Sequence, residues 1–298
     1  MIDGLLVVDK PAGWTSHDVV AKLRGATRQR RIGHAGTLDP DATGVLLVGL
    51  GRATRLMRFL QETTKEYRGE IAFGVATTTL DAAGEETARA AMAVTEADVH
   101  AAMVPFLGAI EQIPPMVSAI KVDGKRLHQL AREGKEIERA PRPVTIHAFD
   151  LESFTPGEFP RAVVRVECSS GTYIRTLAAD LGTALGGYAH LATLRRLRVG
   201  AFTLDDSSPL DALLTEPETA VLSPAAALRG MEMHEVDDAT AARIATGRVF
   251  PLDAPPVPIG SAGPYAFVDS AGTLLAVYER EGDRLKPAVV VPSADGGD

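Results

Sequence analysis

Two hydrophobic periods share this chain. GLLVVDK (4–10) is an apolar run closed by Pro11 and Gly13, and VLLVGL (45–50) is a second. Both have strand length, and the second reads as a strand buried in a core. EYRGEIAFGV (66–75) and AVVRVECSS (162–170) read as strands, the first with clear alternation. SAIKV (118–122) and VTIHAFDLESF (144–154) predict two more strands flanking a short helix, RLHQLARE, and residues 188–204 one or two others. Helical spacing lies between them. Ser16 is placed to N-cap SHDVVAKLRGA, which ends near Gly25, and ATRLMRFLQ (53–61) repeats at Leu56, Met57 and Leu60. VTEADVHAAMVPFLG is the clearest helix. It has a Thr95–Asp98 capping box, a Val94–Val99 staple and one apolar face of Val99, Ala102, Met103, Phe106 and Leu107. YIRTLAADLGTAL (173–185) turns Ile174, Leu177, Leu181 and Leu185 inward. Strands and helices in this order predict an α+β fold, a mixed and largely antiparallel sheet flanked by helices, rather than a doubly wound one.

The pattern changes after residue 204. DDSSPLDALLTEPETAVLSPAAAL reads as short helices returning across the first domain. DDATAARIATGRVF then predicts a helix, and PYAFVD, TLLAVYERE and KPAVVV three strands of a small β-rich module, with a Pro/Gly-rich loop at 251–264. The expected organisation is a domain over 1–230, a module over 231–293 and a disordered tail over 294–298. No window approaches the ~18 apolar residues of a membrane span, the N-terminal segment lacks a basic region, and Cys168 is the single cysteine. These features predict a cytoplasmic protein.

A net charge of −8 argues at first against a nucleic-acid partner, but its distribution reverses that. Residues 201–298 hold 6 basic and 16 acidic side chains, leaving 25 basic and 23 acidic in the first 200. There the basic residues cluster: Lys22 to Arg31, Arg52 to Arg68, Lys121 to Arg142, and Arg195, Arg196 and Arg198. Four clusters interleaved with the segments below predict a polyanion footprint on the first two-thirds of the chain, with Arg31 and Arg126 among its contacts.

The segment GHAGTLDPDATG (33–44) concentrates candidate chemistry. It sets His34, Asp39 and Asp41 among glycines and a proline directly before a buried strand. Three readings stand side by side: a polar turn, a metal site, and a loop presenting a carboxylate as nucleophile or base. A further motif, GLGRAT (49–54), is a truncated G-x-G-x-x-G turn, a weak dinucleotide signal whose third glycine is missing.

The run from Gly33 to Leu56 resembles the signature of the TruB family, bacterial tRNA pseudouridine synthases that act on uridine 55 in the T loop. Five other blocks resemble the family in order: VVDKPAGWTSHDVV (7–20), KEYRGEIAFGVATTTLDAAGE (65–85), IPPMVSAIKVDGKRLHQLAREG (113–134), CSSGTYIRTLAADLG (168–182) and HLATLRRLRVGAF (190–202). The resemblance implies a pseudouridine-synthase catalytic domain with a PUA-like C-terminal module, and isomerisation of the T-loop uridine after base flipping, with an additional tRNA-folding role in view. Asp39 matches the family's essential aspartate, Tyr67 the tyrosine that packs on the flipped uracil, and Arg175 the arginine paired with the aspartate. That pairing predicts a lowered pKa for Asp39. Leu194 matches an apolar pocket residue, Lys10 a lysine that buttresses the site, and His34 a histidine that fills the gap left by the extruded base. Asp81 has a supporting role. The implied partner is the T arm of tRNA. No metal, organic cofactor or obligatory protein partner is implied, and monomer is the default. Val117, His128 and Asp41 depart from the family's usual residues.

Overall fold

The computed structural model describes residues 2–118, 121–122, 125–126, 137–260 and 263–291. The predicted helix RLHQLARE is outside the described residues apart from the backbone of Arg126, and so are His128, the side chain of Arg126 and the tail from 292. Among the described residues no helix is long and apolar enough to cross a membrane.

A ten-stranded mixed sheet forms the body of the molecule. Its main path runs β14 (Ser208–Pro209), β1 (Gly4–Lys10), β3 (Thr43–Leu50), β12 (Ala189–Val199), β4 (Lys65–Phe73), β11 (Arg161–Cys168), β10 (Arg142–Thr155) and β7 (Gly108–Gln112). β2 (Ile32–Ala35) pairs with β3 and β13 (Phe202–Thr203) with β12. Of the described pairings in this sheet, β1–β14 and β3–β12 are parallel and the rest antiparallel. Two short hairpins lie apart, β5 (Val75–Thr77) with β6 (Glu86–Arg89) and β8 (Lys121–Val122) with β9 (Lys125–Arg126).

One detail of the register creates the site. β3 has β1 along one edge, while its other edge is shared. β2 pairs with Leu47–Leu50, and β12 pairs with Thr43 and Gly44. The chain between β2 and β3, residues 36–42, therefore leaves the sheet where one neighbour gives way to the next. Gly44 permits that handover, because a Cβ there would stand 2.1 Å from the Arg196 carbonyl oxygen on β12.

The apolar runs are explained by burial on both faces. Leu6, Val8, Leu46 and Val48 join a core with Val19, Val20 and Leu23 of helix α1 (Ser16–Thr27) and with Ile174, Leu177 and Leu181 of the helix Ile174–Ala184. Their neighbours Leu5, Val7, Val45 and Leu47 face the other way, onto Leu56, Met57 and Leu60 and onto Val268, Leu274, Val277 and Val289 of the C-terminal module. That module is a five-stranded sheet in the order β15 (Glu232–Glu235), β17 (Tyr265–Val268), β18 (Leu274–Glu281), β19 (Arg284–Val290) and β16 (Phe250–Pro251), two strands more than the sequence pattern predicts. Phe250, Tyr265, Phe267, Tyr278, Leu285 and Ile244 give it a core of its own. It is thus docked through a shared apolar layer rather than tethered.

Local predictions hold with adjustments. The Thr95–Asp98 capping box is formed at the helix Glu96–Met103. The first helix is capped by Thr15, not Ser16, through a reciprocal box with Asp18, and it runs on to Thr27. Segment 53–61 divides into a tight 3₁₀ stretch, Gly51–Leu56, and a short α-helix, Met57–Gln61.

Candidate active site

Ser16 is free of the capping role because it has another partner. Its buried Oγ accepts from the Leu38 N–H at 2.9 Å and donates to the Leu38 carbonyl at 3.2 Å. Two further contacts hold the same loop. The Gly13 N–H donates to the Pro40 carbonyl at 3.0 Å, and Lys10 Nζ donates to the carbonyls of Pro40 (2.8 Å), Pro11 (2.9 Å) and Trp14 (2.6 Å). The Ala42 N–H bonds back to the Asp39 carbonyl at 3.2 Å, closing a turn with Asp39 first and Pro40 second. The segment 10–16 is therefore a clamp on the loop. Lys10 spends all three donors inside that clamp and is 0% exposed, so it buttresses the loop from behind and does not reach a ligand in the cleft. Burial lowers its pKa to about 8, with Asp41 and Asp39 pulling the other way.

The clamped loop presents Asp39 to Arg175, the second residue of the helix Ile174–Ala184. Arg175 Nε lies 3.0 Å from Asp39 Oδ2 and its Nη2 donates to Oδ1 at 3.2 Å, a two-pronged pair. Nη2 also donates to the Val117 carbonyl at 3.0 Å. Nη1 donates to the Thr79 carbonyl at 3.1 Å and stands 3.3 Å from Asp81 Oδ2. Three hydrogen bonds and two further ion-pair contacts hold the guanidinium, and the residue is only 5% exposed. It cannot swing out without breaking them.

Asp81 is held as firmly. Its Oδ1 accepts from Thr79 Oγ1 at 2.5 Å and from the Ala83 N–H at 3.1 Å. The preceding residue, Leu80, has a left-handed backbone (φ 62°), which is unfavourable for a branched side chain by about 1 kcal/mol or more. The loop accepts that strain to deliver a second carboxylate to Arg175.

The expected lowering of the Asp39 pKa is not what the site produces. Burial pushes it above the ordinary carboxylate value, and Arg175 opposes the shift without cancelling it, while Asp81 adds to it. The carboxylate is enclosed on most sides yet keeps 42% of the side-chain surface open to a cleft.

Asp39, Arg175 and Leu194 form a wall shared by two lobes of that cleft. The first, about 630 Å³, is lined by Asp41, Arg68, Glu70, Asp81, Leu191 and Arg195 among others. The second, about 530 Å³, is lined by Gly36, Lys65, Tyr67, Tyr173 and Arg196 among others. Tyr67 is buried on β4 with its ring in the wall of the second lobe, and Tyr173 lines the same lobe, its backbone fixed by Gln112 through bonds of 2.9 and 3.3 Å.

The structure brings together Asp39, Tyr67, Arg175, Leu194 and Asp81, with Lys10 behind them. It does not bring in His34 or Arg31. His34 sits on β2, edge-on to His17 at 5.2 Å, with Nδ1 buried and without a hydrogen-bond partner among the described residues. Burial and then the charge of His17 lower its pKa to about 4. Arg31 donates to Thr54 Oγ1 on the surface. Nor do His34, Asp39 and Asp41 converge: among the described residues no group of three or more His, Cys, Asp or Glu side chains could hold a metal. The GLGRAT turn is filled by the chain's own Asp3. The Asp3 carboxylate accepts from Arg52 N and Nε at 2.5 and 2.6 Å and lies 2.0 Å from where a Gly51 Cβ would be, the space a phosphate would need.

Sequence reasoning placed Lys65 and Arg196 in surface basic clusters and did not single out Tyr173. All three line the second lobe, and Lys65 and Arg196 are 6% and 1% exposed. A signal for Lys65 was present: in KEYRGEI it shares the alternation phase of Tyr67 and Ile71, the buried face of β4.

Comparison with known proteins agrees with this geometry. Residues 24–174 match the N-terminal domain of the TruB family pseudouridylate synthases, 175–229 the tRNA pseudouridylate synthase B C-terminal domain, and 231–292 the C-terminal domain of tRNA pseudouridine synthase II. The chain is 48% identical to the tRNA pseudouridine synthase B of Rhodococcus jostii, over 98% of this chain and 94% of that one. It is 48% identical to that of Corynebacterium aurimucosum, over 96% and 95%. Among solved structures, a Cbf5–Nop10–Gar1 complex contains a chain 26% identical with a TM-score of 0.74, covering 97% of this chain and 85% of that one. The two-pronged Asp39–Arg175 pair thus sits in a chain that belongs to the TruB family of pseudouridine synthases, and the protein is an isomerase of that class.

Proposed function

We propose that the protein converts uridine 55 in the T loop of tRNA to pseudouridine, acting in the cytoplasm as a monomer without metal or organic cofactor. The observation that carries this reading is the buried Arg175 holding Asp39 at the boundary of two lobes, one of them lined by Tyr67 and Tyr173. The relatives in Rhodococcus and Corynebacterium bear the name tRNA pseudouridine synthase B, which points to tRNA as the substrate.

In this reading the target base leaves the T-loop stack and enters the second lobe, against Tyr67. Extrusion has an unstacking cost of a few kcal/mol, offset by stacking worth about 1–3 kcal/mol and by contacts between basic side chains and phosphates. Asp39 is the catalytic group, and its two-pronged contact fixes which oxygen faces the ribose. Arg175 orients it and balances its charge, while Asp81 shares the guanidinium. Leu194 closes the apolar side of the wall. His34 stays neutral at physiological pH and lies outside both lobes, where it occupies the gap in the RNA left by the base.

The test is incubation of the purified protein with an unmodified tRNA transcript, followed by mapping of pseudouridine. Product at the T-loop uridine is expected and should persist with EDTA. Asp39→Asn should bind the transcript and form no product. Full activity in Asp39→Asn would sink the assignment, and tRNA binding without product in the wild type would leave only a folding role.

A further inference from the structure

Four buried cations surround the cleft, and they are not alike. Arg175 pairs with two carboxylates, and Lys10 feels the charges of Asp41 and Asp39. Lys65 and Arg196 have no such compensation. Lys65 Nζ donates to two neutral carbonyls, Gln61 at 2.8 Å and Thr63 at 2.9 Å. Arg196 donates from Nε to the Val45 carbonyl at 2.7 Å and from Nη2 to the Gly36 carbonyl at 3.1 Å, and its charge acts on the Tyr67 hydroxyl. None of the described carboxylates pairs with either. The ammonium is depressed to about pKa 8 by burial and then by the neighbouring guanidinium, opposed by the buried Cys168 thiol and by no carboxylate.

Burying a charge without a counter-ion is unfavourable by several kcal/mol, and placing a second like charge beside it adds to the penalty. Both residues line the second lobe, on the strand pair where Arg196 stands opposite Tyr67. The missing counter-ion is then a negative charge that arises in the lobe only during reaction. Pseudouridine formation supplies one. When the C1′–N1 bond breaks, its electron pair stays on the base, which becomes a uracil anion delocalised over N1, O2, C5 and O4. The C1′–C5 bond then forms, the C5 proton departs, and N1 takes up a proton, so that atoms and electrons balance without a co-reactant.

We infer that Lys65 and Arg196 are a paired counter-ion for the detached uracil, a fixed field that favours departure of the base and holds it until C5 rejoins the sugar. The inference rests on the reading that the second lobe receives the target uridine. A phosphate in the lobe is the competing use of the same charge, and it would appear in RNA affinity rather than in rate.

The experiment compares wild type, Lys65→Met and Lys65→Arg in single-turnover consumption of the target nucleoside, with uridine or 5-fluorouridine at that position of the transcript. Fluorine at C5 withdraws electrons and makes the departing base a weaker base, which needs less help. Lys65→Met should slow the uridine transcript by about 10²-fold, near the lower end for loss of one charge-stabilising donor, with the RNA Kd unchanged. The same variant should slow the fluorinated transcript by only about tenfold. Lys65→Arg should recover the uridine rate to within about threefold. Equal slowing on both substrates would overturn the inference and leave a structural role, and the ratio within one variant is insensitive to partial misfolding. So would a loss confined to RNA affinity, no loss at all, or failure of Lys65→Arg to recover. If the wild type makes no pseudouridine, the function proposed above has failed instead, and that result is read before any variant is made.

Discussion

The two lobes share a wall but solve their electrostatics in opposite ways. In the first, Arg195 pairs with Asp9 at 2.8 Å and Arg68 with Glu152 at 2.6 Å, each a carboxylate of the same chain. These pairs are half-exposed, so each is worth about 0–1 kcal/mol and can exchange its carboxylate for a phosphate at little loss. In the second, the cations are buried, bonded to backbone and left without a carboxylate. The first lobe suits a polyanion that comes and goes. The second suits charge that appears in place. Arg175 lies on the boundary and belongs to both.

Removing Arg175 should have the largest effect, because both sides lose their common partner. Arg175→Met leaves Asp39 and Asp81 facing each other across a gap. Activity should fall by 10³-fold or more, about the scale of a lost charge-stabilising group combined with a misplaced carboxylate. Stability should fall by about 2–3 kcal/mol, discounted from the fully buried case because Asp39 is open to the cleft. Arg175→Lys should regain much of the melting temperature and little of the rate, since an ammonium cannot make the two-pronged contact. A Lys variant with wild-type turnover would break the link between geometry and rate.

Asp81 tests the wall from the first lobe. It is one of the causes that raise the Asp39 pKa, so neutralising it should lower that pKa. In Asp81→Asn the acid limb of the pH–rate profile should therefore move to lower pH. The rate at neutral pH should drop about tenfold, because Arg175 loses one of its acceptors. A limb that stays put, or moves up, would show that Asp81 does not act on Asp39.

The stability of Asp39 variants follows from the same sign. A carboxylate whose pKa is raised on folding binds its proton more tightly in the native state. Its contribution is favourable below the unfolded value of 3.8 and is lost as pH rises through the higher folded value. At neutral pH the ionised group is a net cost. Asp39→Asn keeps an oxygen for Arg175 and leaves Asp81 as counter-ion, so its melting temperature at pH 7 should equal or exceed the wild type's while product formation is lost. A melting temperature several degrees lower would mean that the pair stabilises the fold.

Much of the first lobe's side of the wall could be read from the sequence. The loop's glycines and Pro40 before an apolar run, and the helix with its inward leucines, are local signals, while the roles of Asp39 and Arg175 within them came from the family resemblance. The second lobe was harder to see, for a physical reason. β12 carries two register shifts, between Leu191 and Thr193 and between Arg196 and Arg198, so strict alternation along HLATLRRLRV assigns the wrong face. Arg196 is buried and Leu197 is half-exposed, the reverse of what either residue type suggests. The pKa of Asp39 departs from the expectation for a related reason. Pairing can be inferred from a motif, but desolvation depends on everything that encloses the group. The five-stranded C-terminal sheet escaped in part because β15 joins it parallel, from a segment too short and polar to read as a strand.

The smallest expected effect belongs to Asp41, the exposed third residue of the Asp39–Ala42 turn. It faces the first lobe, its side chain makes no hydrogen bond among the described residues, and it acts on Asp39 and Lys10 through its charge. Asp41→Ala should change stability by no more than about 0.5 kcal/mol, as surface substitutions do. Since Asp41 helps to raise the Asp39 pKa, its removal should move the acid limb down, in the direction of Asp81→Asn but by less. RNA affinity at low salt should rise, because a negative charge has left the lobe whose exchangeable ion pairs suit phosphates. If Asp41→Ala instead weakens RNA binding, Asp41 contacts the RNA directly, and the first lobe is not the purely exchangeable surface that its ion pairs suggest.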